Sequence, residues 1–153
     1  MKNVQFILSI LLCLLVGCSN SEQTLKIEPK EKAESLFIQK VENNTVPEEL
    51  TKVIHDQEQI EKVLTKIEGL KVERISSDEM MDKMESSDTY MFAFSEGKEI
   101  ESGKPAPYAF NVLEDGNFLF SYSGFDSPQK PLMTVDKHEE LLEELKDLIG
   151  IEF

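Results

Sequence analysis

The chain has 153 residues, with 30 acidic against 16 basic side chains and a formal charge of −14. So acidic a surface repels nucleic acid and anionic lipid headgroups; it suits cations or a basic partner, or simply solvated helix faces. There is no tryptophan for stacking on sugars, and the length allows one small domain.

In chain order, the N-terminus reads MKNVQFILSILLCLLVGC. Lys2 and the amino group make a short positive start, and from Phe6 to Val16 the only polar side chain is Ser9. The run is too short to cross a bilayer, which needs about 20 residues, and has the length and flanks of a signal-peptide hydrophobic segment. It ends in Leu15-Val16-Gly17-Cys18, which resembles the lipobox of bacterial lipoproteins. The resemblance implies that the Cys18 thiol receives a diacylglycerol. It also implies that residues 1–17 are removed, and that the product is lipid-anchored at the outer face of the cytoplasmic membrane. Two acyl chains hold a protein stably where one does so only marginally. Cys13 leaves with the leader and the Cys18 sulfur is consumed. On this reading there is no disulfide, no catalytic thiol and no Cys metal cluster. The leader holds one Lys and no acid, so the mature charge is −15.

Residues 18–34 then read as the lipidated Cys and a flexible tether, SNSEQTLKIEPKEKAE after Cys18. Its 16 residues would reach at most about 50 Å. Residues 35–153 form a single domain. Leu36–Val41 is a predicted strand, Val46–Glu49 a turn or helical start, and Thr51–His55 a short β-branched run. Asp56 caps a helix with Gln59 at the capping-box position, and Ile60, Val63, Leu64 and Ile67 make its apolar stripe before Gly69. Leu70–Ile75 is a strand, and Ser76 with Glu79 opens a short helix to about Glu85. Strands follow at Tyr90–Ser95, Tyr108–Leu113, Phe118–Tyr122 and Leu132–Val135. Asp136 with Glu139 repeats the capping box before a last helix with the stripe Leu141, Leu142, Leu145, Leu148 and Ile149, closed by Gly150.

The hairpin between Leu113 and Phe118 sets which rings share a face. A two-residue Asp115-Gly116 turn pairs Leu113 with Phe118 and puts Phe110 and Phe120 on opposite faces. A three-residue loop, Glu114-Asp115-Gly116, pairs Leu113 with Asn117 and Phe110 with Phe120, and needs a left-handed third residue, where Gly stands. The three-residue loop is therefore expected, with Phe92, Phe110 and Phe120 buried under the helices. Tyr90, Phe94, Tyr108, Phe118 and Tyr122 complete the aromatic stripes.

No motif carries chemistry on its own. Met80, Met81 and Met84, near Met91, suggest thioether copper ligands, but flexible core side chains explain them as well. His138-Glu139-Glu140 begins like a zinc-protease helix and lacks the second His, since residue 142 is Leu; His55 is the only other histidine. Asp126-Ser127 and Asp115-Gly116-Asn117 are acidic turns without EF-hand spacing. Ser95, Ser121 and Ser123 have no nucleophile elbow or evident base. Asn43-Asn44-Thr45 matches a glycosylation sequon that a bacterial lipoprotein has no reason to use. Glu139, Glu140, Glu143, Glu144 and Asp147 form an acidic face for a basic partner or for solvent.

The strand, capping Asp, acidic helix and Gly, twice behind a lipobox with an aromatic hairpin between, resemble small Gram-positive lipoproteins of unknown function. That resemblance carries over no catalytic residue. The expected fold is α+β: an antiparallel-dominated sheet with two longer helices and one short helix packed on one face. The expected function is a non-enzymatic, membrane-tethered domain with a protein partner, using no cofactor or metal. The alternative is a small-ligand or metal-ion sensor using the loops Glu96–Pro107 and Ser123–Pro131.

Overall fold

Strands form where β-branched and aromatic residues alternate with polar ones, and helices where apolar residues recur three and four apart. The computed structural model describes residues 22–27, 30–43, 45–98, 106–121 and 130–153. The strands are β1 (Gln23–Thr24), β2 (Ser35–Val41), β3 (Thr51–Ile54), β4 (Lys71–Arg74), β5 (Thr89–Ser95), β6 (Ala109–Leu113), β7 (Phe118–Phe120) and β8 (Leu132–Thr134). The helices are α1 (Gln57–Ile67), α2 (Ser77–Glu85) and α3 (Glu139–Ile149). The fold is α+β, with one eight-stranded sheet in the order β1-β4-β8-β7-β6-β5-β2-β3, every pair antiparallel.

The β6–β7 hairpin takes the three-residue form. Leu113 N–H donates to Asn117 O (2.9 Å), Gly116 has φ +83°, and Phe110 stands opposite Phe120. Register then propagates across the sheet. Ile38, Phe92, Phe110, Phe120 and Leu132 form one cross-strand row, all buried. Phe92 stacks on Phe110 with ring centres 4.6 Å apart, and Phe120 lies 5.8 Å from Phe110. Against this face pack Ile60, Val63, Leu64 and Ile67 of α1 and Leu142, Leu145 and Ile149 of α3. Tyr90, Phe94, Tyr108 and Phe118 belong to the same core; Tyr122 lies outside the described residues.

Two helix starts follow the predicted capping chemistry. The Asp56 carboxylate accepts from Gln59 N–H (2.9 Å), and the Ser76 hydroxyl from Glu79 N–H (3.1 Å). The third does not. α3 begins at Glu139 with His138 in the cap position and no side-chain cap bond, so Asp136 stands three residues before the helix and is not its cap. The hairpin tip abuts this helix start instead: His138 N–H donates to Gly116 O (2.8 Å), and Lys137 Nζ pairs with the Asp115 carboxylate (2.8 Å). The strand–Asp–helix pattern is therefore real once, at α1.

Two further expectations need correction. The segment read as free tether joins the domain from residue 23. Gln23 and Thr24 pair with Val72 and Lys71, and Leu25 and Ile27 are buried in the main core. Ala33 is also fully buried, and Lys30 pairs with Glu68 at the end of α1 (2.5 Å). The three helices, moreover, do not share a face. Met80 and Met84 of α2 pack with Ile75, Leu113, Leu119 and Met133 in a second, smaller cluster. Leu119 and Met133 alternate with Phe118, Phe120 and Leu132, so α2 covers the opposite side of the sheet from α1 and α3.

Candidate functional site

The reverse face of the sheet is only partly covered. Across it runs one row from Thr51 through Gln39, Met91, Asn111, Leu119 and Met133 to Glu73, and beside it a row of Val53, Phe37, Ala93 and Ala109. At the β6-β7-β8 end α2 closes over these rows; Leu119 is fully buried and Asn111 nearly so, its amide directed at Met84 Sδ (3.8 Å). At the other end none of the described helices lies over β5, β2 and β3. Phe37, Met91 and Ala93 are half-buried there, and Val53 is 41% exposed. The patch is apolar at its centre, with Phe37, Met91, Ala93 and Val53. Its rim is polar: Gln39, Thr51 and the His55 ring, whose Nδ1 lies 3.0 Å from the Oγ of buried Ser35.

β3 is also the sheet's outer strand, bonded on one side to β2. Thr51-Lys52-Val53-Ile54 alternates so that Ile54 enters the core and Val53 the reverse face. Lys52 reaches across to Gly150 O at the end of α3 (2.6 Å), which ties this edge to the helical layer.

A second feature is a concavity of about 450 Å³ at the start of α3, lined by Lys137, His138, Glu139, Glu140, Leu141 and Glu144. The carboxylates dominate the lining, and Glu144 is already paired with Lys66 of α1 (2.6 Å). Ligand pockets bury most of a small molecule between apolar walls; Leu141 is the one apolar residue here. Next to it the Asp115 carboxylate is pushed up by burial, but bonds from Lys137 and from the Asn117 amide and backbone outweigh this and hold it below its ordinary range.

The residues singled out in the sequence do not converge. Met80 and Met84 serve α2 packing, while Met81 is 54% exposed. Met91 lies beside Asn111 on the reverse face. His55 meets Ser35 on β2, and His138 sets its ring edge-on to Phe118 of β7, three strands away. Asp115 and Asn117 bond each other within the turn. Ser95 ends β5 opposite Ser35, and Ser121 is an exposed residue after β7. Thr45 bridges Glu42 in the turn after β2, which contains Asn43 with φ +50°. Among the described residues, no group of three His, Cys, Asp or Glu side chains is placed to hold a metal ion, and no helix is long and apolar enough to cross a membrane. Cys18, Asn44, Ser123, Asp126, Ser127 and most of the two proposed ligand loops lie outside the described residues. The Val53–Phe37–Ala93 strip was not anticipated, because strand pairing alone brings its members together; the exposed Val in a short β-branched run was its one sequence signal. No protein family, curated protein or solved structure matches this chain.

Proposed function

We propose that the chain is the precursor of a lipid-anchored extracytoplasmic lipoprotein, carrying diacylglycerol on Cys18 at the outer face of the cytoplasmic membrane. Its domain acts as a non-enzymatic binding module for a protein partner. The observation that carries the binding reading is the strip on β3, β2 and β5 that no described helix covers. An apolar centre with a polar rim suits a protein surface, whereas the charged concavity beside α3 lacks the apolar walls of a ligand pocket. The lipoprotein reading rests on the Leu15-Val16-Gly17-Cys18 junction after an apolar segment. A photo-crosslinking side chain in place of Val53 tests the partner surface in intact membranes, with Lys62 on the opposite face as control. A discrete adduct from position 53 and none from position 62 is expected. Identical adducts from both positions, or none from position 53, would reject the surface. Cys18→Ala tests the anchor separately and is expected to leave an uncut precursor without diacylglycerol; normal cleavage and membrane retention in that variant would end the lipoprotein reading.

A further inference from the structure

The fold begins closer to Cys18 than the sequence suggests. β1 starts at Gln23, and its pairing runs on past Thr24: Leu25 N–H donates to Leu70 O and Gly69 N–H to Leu25 O, both at 2.9 Å. Leu25 and Ile27 are 2% and 1% exposed, so the chain is fixed to the sheet from this point. Five residue steps separate Cys18 from Gln23, a reach of at most about 18 Å. Eight strands span about 33 Å from β1 to β3. An anchor on Cys18 therefore keeps the β1 edge beside the bilayer, and three orientations remain: either sheet face down, or the edge itself down.

Charge separates the three. The helical face carries Glu58, Glu61, Glu139, Glu140, Glu143, Glu144 and Asp147 against Lys62, Lys66 and Lys146, which pair with Glu58, Glu144 and Glu143, and the reverse face carries Asp78, Glu79, Asp82 and Glu85 against Lys83 on α2, so each keeps an acidic excess. Both would be repelled by anionic headgroups. The β1–β4 edge differs. Lys26, Lys71 and Arg74 are exposed there and form no ion pair with any described residue. Lys71 stands opposite Thr24 and Lys26 is the next residue on its side of the strand, while Arg74 projects from the helical face, so the three cations straddle the edge. Glu22 and Glu73, at the adjoining register position, are the acids beside them, and Lys30 and Glu68 neutralise each other.

We propose that the β1–β4 edge rests on the membrane that carries the anchor, with Lys26, Lys71 and Arg74 against anionic phospholipid headgroups, so that β3 and Val53 point away from the bilayer. The inference rests on the reading of Cys18 as the lipidated residue. It is tested with the lipidated full mature chain in vesicles of phosphatidylcholine with and without about one-third phosphatidylglycerol. A fluorophore is placed at Thr24→Cys or at Val53→Cys, and a quencher on the lipid headgroups. In anionic vesicles quenching at position 24 is expected to exceed that at position 53 several-fold. Combined Lys26→Gln, Lys71→Gln and Arg74→Gln substitution, or high salt, is expected to shrink the difference, because surface charge attraction is screened over about 10 Å at 0.1 M salt. Equal quenching at the two positions would overturn the orientation, and an unchanged difference in the triple variant would overturn the headgroup contact. Flotation of wild type against Cys18→Ala reports the anchor independently, so failure of either claim is recognised by itself.

Discussion

Gly116 joins the hairpin to the helical layer, and replacing it with Ala tests that joint. Its φ of +83° is one that side chains with a Cβ adopt at a cost of roughly 1–2 kcal/mol. The Ala chain also loses less backbone entropy on folding, which returns about 0.4–1 kcal/mol where the native conformation is compatible and less here. The larger penalty is steric. A Cβ on Gly116 would lie 2.5 Å from Glu139 N and 2.9 Å from His138 N, both backbone atoms that cannot rotate away. Relief requires lifting α3 off the hairpin, which weakens the His138–Gly116 hydrogen bond, worth about 0.5–1.5 kcal/mol, and strains the packing beneath, at roughly 1–3 kcal/mol. A total of about 2–6 kcal/mol is expected. Gly69→Ala is the control, because Gly69 has φ +87° with nothing within 4 Å of its added Cβ. It isolates the conformational cost, about 1 kcal/mol. Urea unfolding of the leaderless chain bearing Cys18→Ala, followed by far-UV circular dichroism, measures both. Equal losses at positions 116 and 69 would refute the close approach of hairpin and helix.

Phe110→Ala removes the ring at the centre of the aromatic row and is expected to cost about 3–5 kcal/mol in the same assay; a loss below 1 kcal/mol would mean that the row is not core. Asp56→Ala is expected to cost about 0.5–2 kcal/mol and Asp56→Asn little, whereas Asp136→Ala should stay within about 0.5 kcal/mol, as it caps nothing. Because the folded protein holds Asp115 below its ordinary range, its carboxylate contributes stability that is present above about pH 4 and lost as pH falls through the lowered value. Asp115→Asn should therefore lower the melting temperature at pH 7 and flatten its acid-side decline, measured by calorimetry from pH 7 to pH 2.

What could be read in the sequence was what short-range rules control. The α1 stripe, the Asp56 and Ser76 caps and the Gly116 loop each depend on residues within seven positions of one another. The hairpin register then follows from one glycine. Three features depend on distant partners and escaped. Asp136 satisfies the same spacing rule as Asp56, but the hairpin tip, 20 residues earlier, occupies the helix start. Leu25 and Ile27 show a two-residue alternation so brief, and so surrounded by Lys and Glu, that only the pairing of the adjoining Gln23–Thr24 with β4 seats them in the core. Met80 and Met84 announce an apolar helix face without saying which side of the sheet receives it. The candidate strip escaped for the same reason: Val53, Phe37 and Ala93 are neighbours only through two strand pairings.

The position of the strip follows from how much each helix can cover. α2 has nine residues, about 13 Å of helix, and a helix with its side chains is about 10 Å wide. Eight strands present about 33 Å on each face. One short helix therefore shields part of the reverse face, and its place is fixed by connectivity. It leaves β4 at one end of the sheet and returns as β5, so it passes over β8, β7 and β6. β2 and β3 lie beyond β5 and receive no such cover. The main face escapes this limit because α1 and α3, 11 residues each, lie side by side, joined by Lys66 to Glu144 and by Gln59 to Leu148 O. The described chain enters the sheet at β1, so β2 and β3 lie at the far end of the sheet from that edge. On the proposed anchor at Cys18, a partner reaching β3 would meet the surface least obstructed by the bilayer. Moving the anchor supplies the check: a Gly-Ser insertion of about 20 residues after Cys18 should leave the crosslinking at Val53 intact while shrinking the difference in headgroup quenching between positions 24 and 53, since the leash no longer confines the cationic edge. Loss of the crosslink with the longer leash would show that the partner reads height above the membrane as well as the strip itself.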